Sequence, residues 1–254
     1  MSRIKHFPKI ISHRGYGVHN TQNMIQALKA AVAAEVEMIE LDVHETHDGH
    51  LIVYHDNSLN ADTPSWTNLT YAQIQDLAVR KGHIPLLSEC LQVIDSIPVD
   101  IDIKSYVNLA NLVRKLNSAS LQQGSVVSSR DCNLLKQLHI RKVQSPLILI
   151  IAILHRLSLR QNIRNTSLCI APQLLPQFLK GIAVYHHLVR KKFVNCIQRK
   201  GKRVFVWTVD DRREMEKFIS WEVEGIITNY PKRLQKLKNQ FTASPTKNLY
   251  ANDQ

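Results

Sequence analysis

Short apolar runs rich in β-branched residues alternate along this chain with longer segments whose apolar residues recur at helical spacing. Strands are predicted at 9–12, 38–43, 51–54, 99–103, 125–127, 147–151, 182–184, 204–209 and 225–228. Helices are predicted at 21–35, 107–122, 131–138, 189–200, 211–220 and 232–241. This alternation predicts an α/β protein with a parallel sheet.

The number of strand–helix units indicates the architecture. Roughly eight units in about 240 residues match a (β/α)8 TIM barrel. A doubly wound sheet is the alternative, but no Gly-rich turn follows the first strand. We expect one domain over residues 1–241, with the polar stretch at about 57–84 inserted as a small cap, followed by a polar C-terminal tail at 242–254.

Composition excludes several classes of protein. Of 254 residues, 44% are hydrophobic and 21% charged, which is typical of neither a disordered chain nor a membrane bundle. The longest apolar run, 147–154, is much shorter than the roughly 20 residues of a membrane-spanning helix. Residues 1–11 contain no long apolar stretch, and the four cysteines show no C-x-x-C spacing, so we expect a cytoplasmic protein.

The formal net charge is +12, concentrated after residue 130. Basic surfaces attract polyanions, but these basic residues lack the interleaved aromatic residues on which nucleic-acid bases stack. We expect no nucleic-acid partner and no stable membrane insertion. A solvated basic face and a weak attraction to anionic lipid are the two interpretations left open.

Chemically active side chains concentrate at the predicted strand ends. Singly, each has a structural explanation, such as a hydrogen-bonded histidine or a packed tryptophan. In a barrel, however, the carboxyl ends of all strands meet at one rim, so we expect the side chains to converge. They are His13, Arg14, Glu40, Asp42, His55, Asp102, Lys104 and Trp207.

Three of these residues are hard oxygen donors. Glu40, Asp42 and Asp102 together suit Mg²⁺ or Ca²⁺ better than zinc or copper. Arg14 and Lys104 add positive charge suited to a phosphate.

Two imidazoles complete the set. His13 and His55 can divide the proton transfers, one as base towards the nucleophile and one as acid towards the leaving oxygen. The whole set predicts a phosphodiesterase.

A second group of histidines, His44, His47 and His50, has a spacing that could indicate a metal cluster. The Asp48-Gly49 turn instead predicts a hairpin, in which these side chains need not converge.

The motifs around these residues are specific. In chain order they are His13-Arg14-Gly15, His19-Asn20-Thr21, Glu40-Leu41-Asp42-Val43, Thr46-His47-Asp48-Gly49, His55-Asp56, Ile84-Pro85-Leu86-Leu87, Ile101-Asp102-Ile103-Lys104, Trp207-Thr208-Val209 and Gly225-Ile226-Ile227-Thr228-Asn229-Tyr230-Pro231. The chain resembles the glycerophosphodiester phosphodiesterase family over about residues 10–231, least clearly at 130–200.

The resemblance implies a TIM barrel with an inserted cap. It also implies hydrolysis of glycerophosphodiesters to glycerol 3-phosphate and an alcohol with a divalent metal. The roles it implies are an acid–base pair of His13 and His55, metal binding by Glu40, Asp42 and Asp102, and phosphate or substrate contacts by Arg14, Lys104 and Trp207.

Three positions depart from the family pattern. His19 stands where the family has Glu, so a contact to the substrate or to residues behind the metal loses a carboxylate. Asp102 replaces Glu and is one methylene shorter. Asn229 replaces Asp near the last strand, which we expect to be a structural rather than a chemical change.

These departures keep two alternatives open. One is a related barrel phospholipase D that acts on lysophospholipids or sphingomyelin. The other is a barrel that binds phosphate ligands with little turnover. The sequence leaves undetermined the headgroup alcohol, the metal, the oligomeric state and whether a cyclic phosphate forms.

Overall fold

The computed structural model of the protein describes residues 6–17, 21–79, 82–152 and 175–243. Strands β1 to β9 are Lys9–His13, Met38–Glu45, Leu51–Val53, Val99–Ser105, Val126–Ser129, Leu147–Ile151, Gly181–Tyr185, Arg203–Trp207 and Gly225–Thr228. Helices α1 to α8 are Ile25–Ala33, Tyr71–Ala78, Leu87–Ile94, Leu109–Ser118, Cys132–Ile140, Lys191–Arg199, Arg212–Ser220 and Pro231–Ala243. Short 3₁₀ turns lie at Trp66–Asn68 and His186–Leu188.

The sheet closes on itself. Strands β2, β4, β5, β6, β7, β8, β9 and β1 pair in that order, all in parallel, and β1 returns to pair with β2. Strand β3 lies outside this circuit, antiparallel to β2. The predicted (β/α)8 TIM barrel is therefore confirmed, with a short hairpin strand attached.

Side chains alternate between two apolar layers. Those pointing inward form a small core within the barrel: Ile11, Met38, Val126, Ile148, Ile150, Ala183, Phe205 and Ile227. Those pointing outward pack under the helices in a much larger core. Gly225 belongs to the inner layer, where a Cβ would lie 2.6 Å from Ile11 Cδ1. The inner layer fills the barrel below the strand ends, so any site lies at the rim.

Two of the helices in the described part of the chain were not predicted. Helix α2 begins with a capping box, in which the Thr70 side chain accepts from Gln73 N and the Gln73 side chain accepts from Thr70 N. The Thr-x-x-Gln spacing is a recognisable helix start. The polar and turn residues that precede it favoured an irregular segment instead, so the helix was not predicted. Helix α3 lies on the outer core and buries Leu87, Cys90 and Ile94.

The stretch 57–84 has a small apolar core of its own. Trp66 and Ile74 are fully buried in it and pack with Ile52 of β3. The assignment of this stretch as a cap, and the domain limits 1–241, remain predictions. Residues 244–254 of the predicted tail lie outside the described residues. Among the described helices, none is long and apolar enough to cross a membrane.

Candidate active site

Strand register brings the candidate acidic residues side by side. His13 of β1 is opposite Glu40 of β2, and Asp42 of β2 is opposite Asp102 of β4. Because side chains on a strand alternate, residues two apart share the inner face. The pocket at this rim is lined by His13, Arg14, Glu40, Asp42, Asp100, Asp102, Lys104, Arg130, Ile150, Ala183, Trp207 and Ile227.

The three predicted metal ligands form one cluster. A carboxylate oxygen of each of Glu40, Asp42 and Asp102 lies within 4.8 Å of the others, and all three residues are buried. Burial and the charge of Asp42 raise the pKa of Glu40 well above its usual value, and burial also raises the pKa of Asp102. Asp102 Oδ1 is buried without a hydrogen-bond partner. A hard divalent cation would satisfy both the charge and the unpaired oxygen.

Two basic side chains lie against the same cluster. Lys104 Nζ is 2.7 Å from Asp42 Oδ1 and also forms an ion pair with Asp102. Arg14 Nε is 2.8 Å from Asp42 Oδ2. Burial would raise the pKa of Asp42, but these two cations outweigh it and hold that pKa below its usual value. The pocket thus combines acidic and basic groups, as binding of a metal and a phosphate requires.

The turn after β1 directs Arg14 into the pocket. Arg14 adopts φ +57°, a left-handed conformation that costs energy for a residue with a side chain. Its amide donates to Glu40 O at 3.0 Å and to Glu40 Oε2 at 3.1 Å. These bonds fix both the turn and the Glu40 side chain. At Gly15, which follows with φ +80°, a Cβ would lie only 2.8 Å from the Ala27 backbone.

His13 is held on both sides of its ring. Nδ1 is 2.9 Å from Asn229 Oδ1, and Nε2 is 3.9 Å from Glu40 Oε2. Burial, helped by the positive charge of Arg14, lowers the pKa of His13 to about 4. A neutral imidazole in this pocket can accept a proton.

Asn229 is therefore in contact with the proposed chemistry. The expectation that its replacement of Asp is structural rather than chemical stays a prediction, although its side-chain oxygen faces His13. On its other side, Asn229 Nδ2 donates to Asp210 Oδ2 at 2.7 Å. Neither contact follows from spacing, since Asp210 and Asn229 lie about 200 residues after His13 in the chain.

His55 lies just after β3, and its side chain is 44% exposed. Its Nδ1 is 2.7 Å from Asp56 Oδ1, and its positive charge contributes to lowering the pKa of Asp42. The backbone oxygen of His55 accepts from His44 Nε2 at 3.4 Å. His55 does not line the pocket itself but lies within electrostatic reach of its acidic cluster.

The second histidine group does not converge. His44 is buried and bonds Ser105 Oγ through Nδ1, at 2.8 Å. His50 instead packs against the Tyr71 ring at a tilt, with ring centres 5.4 Å apart, and lies 3.8 Å from Asp48. Within the described ranges, the one cluster suited to a metal is that of Glu40, Asp42 and Asp102. The predicted hairpin is confirmed by the antiparallel pairing of β2 with β3.

Two charged residues of the pocket were missed from the sequence. Asp100 lies two residues before Asp102 on the same inward face, and Ser128 Oγ donates to it at 2.6 Å. Burial raises the pKa of Asp100 to about 7. Arg130 follows β5, is exposed, and lies with its guanidinium carbon 5.6 Å from the centre of the Trp207 ring. Strand alternation was the sequence signal available for Asp100, and its position after a strand end was the signal available for Arg130.

Trp207 ends β8 as predicted and faces the pocket, where its Nε1 is buried without a hydrogen-bond partner. His19 lies outside the described residues. A parallel barrel with an acidic cluster, two cations and a neutral imidazole at its rim is suited to an enzyme that acts on phosphate esters.

Comparison with known proteins identifies the family. The sequence model of the Glycerophosphoryl diester phosphodiesterase family matches residues 13–233. A glycerophosphodiester phosphodiesterase from Caldanaerobacter subterraneus is 28% identical, with 90% of this chain and 96% of the relative covered. A lysophospholipase D from Homo sapiens is 24% identical, with 92% and 87% covered. The chain therefore belongs to the glycerophosphoryl diester phosphodiesterase family and is a phosphoric diester hydrolase.

Solved structures agree on the fold. A phosphodiesterase from Oleispira antarctica, solved with its product sn-glycerol-3-phosphate, superposes with TM-score 0.72 at 17% identity and covers 92% of this chain and 97% of its own. A glycerophosphodiester phosphodiesterase from Parabacteroides distasonis gives TM-score 0.75 at 24% identity, with 94% and 99% covered.

Proposed function

We propose that the protein hydrolyses glycerophosphodiesters to glycerol 3-phosphate and an alcohol, with a divalent metal bound at its acidic cluster. The observation that carries this proposal is the rim pocket in which Glu40, Asp42 and Asp102 converge beside Arg14 and Lys104. Such a pocket offers oxygen ligands to a metal and positive charge to a phosphodiester.

The metal would be held by the three carboxylates. Their burial, their mutual proximity and the unpaired Asp102 Oδ1 all favour a hard cation, and the oxygen-only donor set favours Mg²⁺ or Ca²⁺. When bound, such an ion polarises a phosphoryl oxygen and offsets charge that develops in the transition state.

The remaining side chains bind the phosphate and move protons. Lys104 and Arg14 would attract the anionic diester, at some cost to their existing pairing with Asp42. His13 and His55 would divide proton transfer between the nucleophile and the leaving alkoxide. Trp207 and Arg130 border the pocket and would contact the outer part of the substrate. Residues 57–84 would act as the cap beside His55.

Release of glycerol 3-phosphate over a panel of glycerophosphodiesters tests the proposal. We expect turnover that a chelator abolishes and that Mg²⁺ or Ca²⁺ restores. His13→Ala should remove most turnover while leaving the circular dichroism spectrum unchanged, with His139→Ala, at a histidine outside the pocket, as the control. Full activity of His13→Ala, or turnover in chelator, would contradict the roles assigned here.

A second substrate class has one supporting observation. Relatives at 24% identity from human, mouse and rat are lysophospholipases D. Comparing kcat/KM for glycerophosphocholine with that for lysophosphatidylcholine decides between the two classes. The proposal expects the water-soluble diester to be preferred, and a preference for the lysophospholipid would replace it.

A further inference from the structure

The imidazole of His13 is the end of a hydrogen-bonded chain that begins at Asp210, in the loop after β8. Asp210 Oδ1 accepts from Asn229 N at 2.9 Å and from Thr228 Oγ1 at 3.0 Å. Asp210 Oδ2 accepts from Asn229 Nδ2 at 2.7 Å. Asn229 Oδ1 in turn lies 2.9 Å from His13 Nδ1. One carboxylate and one amide therefore connect the loop to the pocket.

The direction of every bond in this chain follows from Asp210. A carboxylate only accepts hydrogen bonds, so the NH₂ group of Asn229 must face it. The carbonyl end of the same amide must then face His13. Gln22 Nε2, which donates to Asn229 Oδ1 at 3.3 Å, fits this orientation. Because Asn229 Oδ1 can only accept, His13 Nδ1 must carry a proton.

The consequence lies at the other ring nitrogen. With the proton on Nδ1, neutral His13 leaves a lone pair on Nε2, the nitrogen that lies on the side of Glu40. When Nε2 takes a proton, the Nδ1–H bond to Asn229 is unaffected. The hydrogen bonds therefore support both the neutral and the protonated ring in one orientation.

We propose that Asp210 is a positioning residue which, by orienting the Asn229 amide, fixes His13 in the tautomer that can act as the base towards the nucleophile. This inference rests on the proposed function for its kinetic consequence, although the tautomer itself can be observed without turnover. Within the proposed pair, His55 is then left as the acid towards the leaving oxygen.

The side chain of Asn229 needs a partner that fixes its orientation, because it is an amide. A carboxylate there would present an acceptor to His13 in either orientation of its side chain. An amide presents an acceptor in one orientation and a donor in the other, and the donor would force the wrong tautomer. Asp210 removes this ambiguity.

Exchanging the two side-chain types tests the proposal. In Asp210→Asn, the new amide oxygen can still accept from Asn229 N and Thr228 Oγ1, but its NH₂ group would face that of Asn229. Asn229 must then turn and present its NH₂ group to His13. We expect kcat to fall about 100-fold, in the range of lost general-base catalysis, with KM changed by less than about twofold.

The double variant Asp210→Asn/Asn229→Asp restores the pattern with the groups exchanged. The Asn side chain at 210 would donate to the carboxylate at 229, which would accept from His13. We expect kcat within about fivefold of wild type, given context-dependent losses of partly buried hydrogen bonds.

A spectroscopic readout accompanies the kinetics. Nitrogen-15 chemical shifts of the His13 ring, assigned with His13→Asn, distinguish a proton on Nδ1 from one on Nε2. In chelated protein near neutral pH, we expect Nδ1–H in wild type and in the double variant. Asp210→Asn should show Nε2–H or a mixture. Thermal melts establish that each variant is folded.

The outcomes separate the two proposals. If wild-type protein releases no glycerol 3-phosphate from any diester, the proposed function fails, whatever the tautomer. If wild type is active but Asp210→Asn keeps full kcat and Nδ1–H, the positioning role is overturned. The same holds if the double variant is no better than Asp210→Asn, because Asp210 would then support only the loop.

Discussion

Lys104 Nζ lies 2.7 Å from Asp42 Oδ1 and is also paired with Asp102, so one ammonium bridges two carboxylates on neighbouring strands. The pairing follows from the register of β2 and β4, in which Asp42 is opposite Asp102. The carboxylates raise the pKa of Lys104 above its usual value despite its burial, so this cation stays charged in the pocket. Without it, only Arg14 would offset the repulsion among three buried acidic groups.

Asp102→Asn tests the acidic cluster. Removing one of three anionic oxygen donors should lower affinity for Mg²⁺ or Ca²⁺ at least tenfold and reduce kcat by a similar or larger factor, as changes at metal sites commonly do. Isothermal titration calorimetry measures the affinity, and glycerol 3-phosphate release measures kcat. Asp76→Asn, at an exposed position of α2, is the matched control. Unchanged metal affinity in Asp102→Asn would remove this residue from the metal site.

His44→Gln tests a pH dependence of stability. Burial lowers the pKa of His44 from 6.5 to about 4. Between these values the unfolded chain binds a proton at this residue and the folded chain does not, so acid favours unfolding. The stability that the neutral, buried His44 contributes is present above pH 6.5 and is lost as the pH falls towards 4.

The size of that effect is about 2 kcal/mol of unfolding free energy between pH 6.5 and pH 5. In wild type, His44 contributes this loss of stability. His13, whose pKa is also lowered to about 4, contributes a similar loss. Urea melts in chelator should therefore show a weaker pH dependence for His44→Gln. The exposed His83→Gln serves as the control, and an identical dependence in all three proteins would contradict the prediction.

Trp66→Phe tests whether the small core of residues 57–84 supports His55. Trp66 is fully buried, and its Nε1 donates to Asp56 O at 2.6 Å, next to the carboxylate that bonds His55. Losing this N–H should cost about 1 kcal/mol and lower kcat several-fold, because the His55–Asp56 turn loses an anchor. Steady-state kinetics measure the change in kcat, and melts measure the change in stability. Trp221→Phe, distant in sequence at the end of α7, should leave kcat unchanged; equal loss in both variants would argue for a general effect of tryptophan removal.

Arg130→Gln tests the pocket border. The guanidinium lies over Trp207, and its charge partly opposes the rise in the pKa of Asp102 that burial causes, which places it within electrostatic reach of the acidic cluster. We expect KM for glycerophosphodiesters to rise about tenfold at low salt and less at high salt, because exposed charges are screened. Steady-state kinetics at two ionic strengths measure this. Arg114→Gln, on the exposed face of α4, is the control. The placement of Arg130 at the border of the substrate pocket would be contradicted if KM changed neither with the substitution nor with the salt concentration.

Much of the fold followed from local patterns. Apolar runs of β-branched residues predicted every strand of the barrel to within a few residues. Where the predicted and observed ends of a helix differ, a hydrogen bond from a side chain sets the observed end. Helix α4 begins at Leu109 because Asn108 accepts from Ala110 N and Asn111 N. Helix α1 begins late because Asn23, at φ +62°, turns to donate to Asp42 at 2.9 Å.

The sequence by itself determined which side chains reach the rim. Alternation places Glu40 with Asp42, and Asp102 with Lys104, on one face, and strand ends expose His13 and Trp207 to the same opening. The same alternation also places Asp100, which lies inside the predicted strand 99–103, on the face of Asp102, although it was not singled out as a site residue. These are local properties, set by the two-residue repeat of a strand and independent of the rest of the chain.

Only the tertiary structure decided which of those side chains touch. Barrel closure makes β9 a neighbour of β1, which brings Asn229 to His13 and Asp210 behind it. Register, rather than spacing, puts Asp42 beside Asp102. Burial then leaves His13 neutral, while the neighbouring Lys104 and Arg14 keep Asp42 ionised despite its burial. Such contacts depend on where distant segments meet and on how much water they exclude, which no pattern of neighbouring residues records.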